Sequence, residues 1–110
     1  LCAILIAPIH GAMAAPKYEF VDLGTIGGSE SYAEDVNEHG VIVGFSANPE
    51  GRDHMFVYYD GRMTDVGGSP LPGDKEWTSV AFGINDSNIV VGYARSGIIL
   101  DGHCEVMGRG

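Results

Sequence analysis

An all-β fold built from antiparallel four-stranded units is what this sequence predicts, and three observations predict it. First, the segment from Ala33 to Ser46 recurs without a gap from Ala81 to Ala94. Second, the short apolar runs around these copies are bounded by turn signals such as Asn37-Glu38-His39-Gly40 and Asp60-Gly61, which is how strands are punctuated. Third, no stretch after residue 15 carries a helical period.

The elements follow in order. Leu1 to Ile9 is an uncharged apolar run, shorter than the roughly 20 residues of a membrane-spanning helix. With Ala12-x-Ala14 behind it, it reads as the apolar part of a secretory leader cut after Ala14. The alternative is a buried N-terminal strand or helix. No initiator Met or basic segment precedes Leu1, so the expectation is a truncated leader at 1–14 and a β-repeat region at 15–110. Tyr18 to Leu23 is a leading strand. Its Phe20 to Gly24 matches Met63 to Gly67, so it resembles the last strand of a unit.

Ser31 to Val36 opens the complete unit. The turn at Asn37 follows, where the Asn side chain can bond the backbone. Gly40 suits a left-handed residue in a three-residue hairpin loop. The second copy has Asn88 there, and Asn is the non-Gly residue that best tolerates positive φ. Val41 to Ser46, with Ile89 to Ala94 as its copy, is continuously apolar and so predicts a strand covered on both faces. Gly44 and Gly92 inside these strands mark a bulge or a close backbone approach. Met55 to Tyr59, the type I′ turn at Asp60-Gly61, and Arg62 to Val66 complete the unit. A long loop from Gly68 to Thr78 leads to the second copy. There Ile98 to Gly102 is matched to Val57 to Gly61. The two units are placed at about 18–67 and 68–110.

Four antiparallel strands in 40–50 residues describe a β-propeller blade. Two blades do not close a ring, which points to further units or other chains. A small β-sandwich and an open meander are the alternatives.

Three motifs carry a family resemblance. They are Asp22-Leu23-Gly24-Thr25-Ile26-Gly27-Gly28, then Ala33 to Gly44 with its copy Ala81 to Gly92, and then His54-Met55-Phe56. Together they resemble the HAF-repeat family, named for a His-Ala-Phe triplet, over about residues 18–108. Met55 stands where that family has Ala. In the second unit the triplet is aligned with Arg95-Ser96-Gly97, and Val106-Met107-Gly108 takes the place of Asp65-Val66-Gly67. The resemblance implies a secreted or cell-surface repeat array and brings no defined activity or ligand.

Composition narrows the function. Six basic residues against 15 acidic ones give a net charge of −9, which argues against a nucleic-acid partner. With the leader removed, Cys104 is the lone cysteine, which suggests an intermolecular bond, a free thiol or a partner elsewhere in a longer chain. His39, His54 and His103 lack zinc-ligand spacing. Glu34-Asp35 and Asp86-Ser87-Asn88 could offer oxygens to calcium, but no calcium-loop pattern surrounds them. Asp22 and Asp65 read as turn caps. No catalytic residues, metal ligands or cofactor are assigned. His54, beside Asp53, and Trp77, in the long loop, are the candidate partner contacts, with framework roles as the alternative for each. The expected function is a secreted or cell-surface binding or structural module for a protein or carbohydrate ligand, without catalysis. The alternative is the N-terminal part of a larger secreted propeller enzyme.

Overall fold

The computed structural model describes residues 2–9, 17–96 and 102–107. It is all-β, with no helix among the described residues. Among the described residues nine strands run β1 (Ala3–Ile9), β2 (Lys17–Gly24), β3 (Ser31–Val36), β4 (Ile42–Ala47), β5 (Asp53–Tyr59), β6 (Arg62–Asp65), β7 (Thr78–Ile84), β8 (Val90–Arg95) and β9 (Gly102–Met107). They form three antiparallel sheets: β1-β2, β3-β4-β5-β6 and β7-β8-β9. The middle sheet is the four-stranded unit expected from its turns. Tyr59 pairs with Arg62 across Asp60 and Gly61, which sit at φ 51° and 80°. Both are positive, as a type I′ turn requires.

The sheets stack face to face on two apolar clusters. Ala3 and Leu23 of the first sheet pack on Ile42 and Phe56 of the middle sheet. Val43 and Met55 of the middle sheet pack on Ala81 and Val90 of the third. Alternation along β4 and β5 explains the arrangement. Ile42, Phe56 and Tyr58 point rearward to the first sheet, and Val43, Met55 and Val57 point forward to the third. The continuous apolar run in β4 is therefore a strand covered on both faces.

The first sheet repeats the register of the β5-β6 pair. Ile4 pairs with Asp22 and Ile6 with Phe20, as Phe56 pairs with Asp65 and Tyr58 with Met63. Hence β1 and β2 occupy the places of β5 and β6. The run expected to be a leader is, in this structure, strand β1. Ala3 and Leu5 face the core, while Ile4 and Ile6 are exposed. A short apolar run satisfies both descriptions, and hydropathy alone does not separate them. In the first sheet β2 pairs with β1 and not with the middle sheet.

The third sheet corrects a second expectation. Phe45, Ser46 and Ile42 of β4 pair with Met55, His54 and Tyr58. Their copies Tyr93, Ala94 and Val90 pair with Cys104, His103 and Met107. The residues in register with His54-Met55-Phe56 are therefore His103-Cys104-Glu105, not Arg95-Ser96-Gly97. The match of Ile98 to Gly102 with β5 also falls away. Gly102 starts β9, and Ile98 to Asp101 lie outside the described residues.

The strand glycines behave as expected. A bulge falls between Ala33 and Asp35, and its copy between Ala81 and Gly83. A Cβ on Gly44 would strike the carbonyl oxygen of Tyr32, and one on Gly92 that of Val80.

Candidate functional site

Polar side chains are concentrated where sheets meet. β6 leaves the ladder at Asp65, after which Val66 N–H still donates to the Met55 carbonyl at 3.1 Å. The Met55 N–H is then satisfied from the next sheet. Ser79 Oγ accepts from it at 2.9 Å and donates to the Gly67 carbonyl at 2.8 Å. The first junction repeats this device. Ser31 Oγ accepts from Ala3 N–H at 2.5 Å and donates to the Gly24 carbonyl at 2.6 Å. Both serines are 1% exposed. Each supplies a hydroxyl that accepts and donates at once, which suits a place where one sheet leaves an N–H and a C=O without ladder partners.

The Asn turns form a second contact between the middle and third sheets. Asn37 Oδ1 accepts from His39 N–H and Val41 N–H, both at 3.0 Å. Asn85 Oδ1 accepts from Ser87 N–H and Ile89 N–H, both at 2.9 Å. Gly40 has φ 80° and Asn88 φ 61°, so the Gly-to-Asn exchange keeps one left-handed conformation. The two turns then dock. Asn37 Nδ2 donates to the Asn85 carbonyl at 3.0 Å and to Asn88 Oδ1 at 2.6 Å. Asp86 Oδ1 accepts from Glu38 N–H at 2.9 Å, and His39 Nε2 lies 3.1 Å from the Asp86 carbonyl oxygen. Asp35 Oδ2 accepts from Ile84 N–H at 2.9 Å. Asp35 and Asp86, both weighed as oxygen ligands, thus bond backbone N–H groups. Among the described residues no three His, Cys, Asp or Glu side chains gather as a metal site.

His54 is paired, but not with its neighbour Asp53. Its Nδ1 lies 2.9 Å from Asp65 Oδ2, across the β5–β6 pair. Asp65 Oδ1 also accepts from Gly67 N–H at 3.0 Å, as Asp22 Oδ1 does from Gly24 N–H at 2.9 Å. Both aspartates cap the strand end as expected. A carboxylate on Nδ1 fixes the ring orientation.

Trp77 is 6% exposed and donates its Nε1–H to the Gly67 carbonyl at 2.7 Å. The ring is not presented to solvent; it closes the junction beside Ser79. It helps line a cavity of about 270 Å³ together with Met55, Val66, Pro70 and Ala94. A wider groove of about 360 Å³ runs along the β5–β6 hairpin past Tyr59 and Arg62.

Sequence reading missed the two junction serines. Their signal was present: Ser31 and Ser79 stand 48 residues apart, in the same phase as Asn37 and Asn85. It also missed a third turn of the same kind, in which Asn48 Oδ1 accepts from Glu50 N–H and Arg52 N–H at 3.0 and 2.9 Å. Tyr32 stacks on Phe45 with ring centroids 4.9 Å apart. The Glu30 carboxylate beside Tyr32 raises its phenol pKa above the usual 10.0. Compared with family models, curated proteins and solved structures, the chain matches none.

Proposed function

We propose that this chain is a module of stacked, blade-like β-repeat units of the HAF kind, binding or structural in role and without catalysis of its own. The observation that carries the reading is the repeated junction. Ser31 and Ser79 bridge successive sheets by the same pair of bonds. The side chains with chemical potential, Asp35, His54, Asp65 and Asp86, are engaged in turns and sheet contacts. A protein or carbohydrate ligand fits the groove past Tyr59 and Arg62, which offers a ring, a guanidinium and the Asp60 carboxylate.

The test is a turnover screen with chromogenic ester, phosphate, glycoside and peptide substrates. No turnover that depends on His54 is expected. Turnover abolished by His54→Ala, with the fold intact, overturns the reading in favour of an enzyme.

A place outside the cytoplasm is supported by the apolar run and by Ala12-x-Ala14. The seat of β1 favours a second reading of that run, as a permanent strand. Ala3 N–H makes the same bond to Ser31 that Met55 N–H makes to Ser79. The N-terminal sequence of the mature protein separates the two: Ala15 first means a leader, and a chain that retains Ala3 means a strand.

A further inference from the structure

The two junctions inside the chain differ at one place, and matched residues surround it in each. Gly24 and Gly67 offer the carbonyls, Ser31 and Ser79 bridge to them, and Ser46 and Ala94 stand opposite those serines on the neighbouring strand. At the first junction the place is filled. Ile26, two residues past Gly24, packs on the cluster of Ala3, Leu23, Ile42 and Phe56, and its N–H donates to Ser46 Oγ at 2.9 Å. At the second junction that filling is missing. Two residues past Gly67 stands Ser69, whose hydroxyl turns to the Leu71 backbone. Ala94 has no oxygen to hold a loop against the sheet. The chain also takes 12 residue steps from Gly67 to Ser79, against 7 from Gly24 to Ser31. What remains is the cavity of about 270 Å³ beside Trp77, with Met55, Val66, Gly68, Pro70 and Ala94 in its walls.

We propose that this cavity binds a small, neutral aromatic molecule of one ring, at a site separate from the groove past Tyr59 and Arg62. Three properties select that ligand. The first is size: a cavity of about 150 Å³ already admits benzene, so 270 Å³ takes a substituted ring. The second is the state of the polar groups. Met55 N–H is bonded to Ser79 Oγ, whose own hydrogen goes to the Gly67 carbonyl. That carbonyl also accepts the Trp77 indole N–H, and Gly67 N–H is bonded to Asp65. These donors and both lone pairs of the carbonyl are satisfied inside the protein, and no charged side chain is among the described walls. A charged ligand would lose its hydration and gain no partner. The third is wall chemistry: the indole of Trp77 and the thioether of Met55 both favour contact with an aromatic ring. Access is past Val66, 39% exposed, and Gly68, where a Cβ would meet nothing within 4 Å. The long loop is fastened by Arg52 with Glu76 and by Ser96 Oγ donating to Asp74 at 2.7 Å, so the site is formed before a ligand arrives.

The experiment is a titration of the full chain with toluene, from ~10 µM to ~5 mM, read by the emission of Trp77, the single tryptophan, and by the thermal midpoint. A saturable change in emission is expected, with a dissociation constant on the order of 0.1–1 mM. The midpoint should rise by several degrees, because the ligand binds only the folded chain. Benzoate and benzylammonium, charged versions of the same ring, are expected to leave both readings unchanged at the same concentrations. Ala94→Leu fills the cavity from its wall. It is expected to keep the fold by circular dichroism and to weaken toluene binding by about tenfold or more. Ala94→Val replaces it if the chain unfolds, with a loss of about threefold or more expected. No saturable response in the wild type overturns the proposal. So does binding that the substitution at Ala94 leaves intact, or benzoate that binds as well as toluene. The repeat-module reading stands apart from these outcomes, since the cost of removing the junction serine Ser79 tests it separately.

Discussion

Replacing Ser79 by Ala removes one oxygen from the second junction, and the structure sets the cost. Met55 N–H loses its acceptor at 2.9 Å. It lies in a strand whose neighbour has already turned away, at a residue 2% exposed. An orphaned buried donor costs ~1–3 kcal/mol. The Gly67 carbonyl loses one donor but keeps the Trp77 indole at 2.7 Å, so the acceptor side adds little. The expected destabilisation is therefore about 2 kcal/mol. Domains of this size have ~5–15 kcal/mol in total, so the loss is large enough to measure well. At ~4–8 °C per kcal/mol, the midpoint of the transition that opens the second junction should fall by about 8–16 °C. The assay is urea and thermal unfolding followed by circular dichroism and by the emission of Trp77, the single tryptophan. Ser87→Ala, on an exposed turn, is the control and should stay within ~0.5 kcal/mol of wild type. If Ser79→Ala also stays within that margin, the hydroxyl does not satisfy Met55, and the reasoning about the junctions is refuted.

Other outcomes follow from the same geometry. Ser31→Ala should cost about as much as Ser79→Ala, ~2 kcal/mol, because it frees Ala3 N–H in the same way; full stability would separate the first junction from the second. Asn88→Ala forces a left-handed residue with no compensating side chain and loses the bond from Asn37, for about 1–2 kcal/mol. Asn88→Gly should recover most of this in the same melt, since it restores the residue found at Gly40. The Tyr32 phenol should titrate above its usual 10.0, chiefly because of the Glu30 charge, and Glu30→Gln should lower it, as read from phenolate absorbance. Because the folded value is the raised one, this group's contribution to stability is complete below the ordinary tyrosine pKa and disappears as pH climbs through the folded pKa.

Much of the middle sheet was legible because its turns are chemically explicit. Asn37 with Gly40, and Asp60 with Gly61, fix the hairpins through side-chain acceptors and positive φ, and these are local properties of sequence. Asn88 was readable for the same reason. The third strand of the last sheet was not. Its triplet reads His103-Cys104-Glu105, and without the Phe the apolar alternation that marks β5 is broken, so the more apolar Ile98 to Leu100 drew the alignment. The leading strand was obscured by composition, since Ala3 to Ile9 has no polar face to show which side meets water. At the candidate site, the partner of His54 lies on a different strand, 11 residues on, and sequence proximity pointed to Asp53 instead. Trp77 was ambiguous because its burial depends on the Gly67 carbonyl of the preceding sheet, a long-range fact no local pattern encodes. The serines at the junctions were in plain phase, but a small hydroxyl at a strand start looks like any other.

Each apolar cluster spans a single junction, and the middle sheet belongs to both. Cooperativity in such a stack is nearest-neighbour coupling, as in linear repeat arrays, and not the all-or-none behaviour of one shared core. Opening should begin at the outer sheets and move inward. The amides of β4 and β5 should exchange with deuterium last, and those of the outer sheets earlier. Weakening one junction then uncouples one terminal sheet and leaves the rest folded. The molecule can thus open one junction at a time, through partly folded states that keep the middle sheet intact.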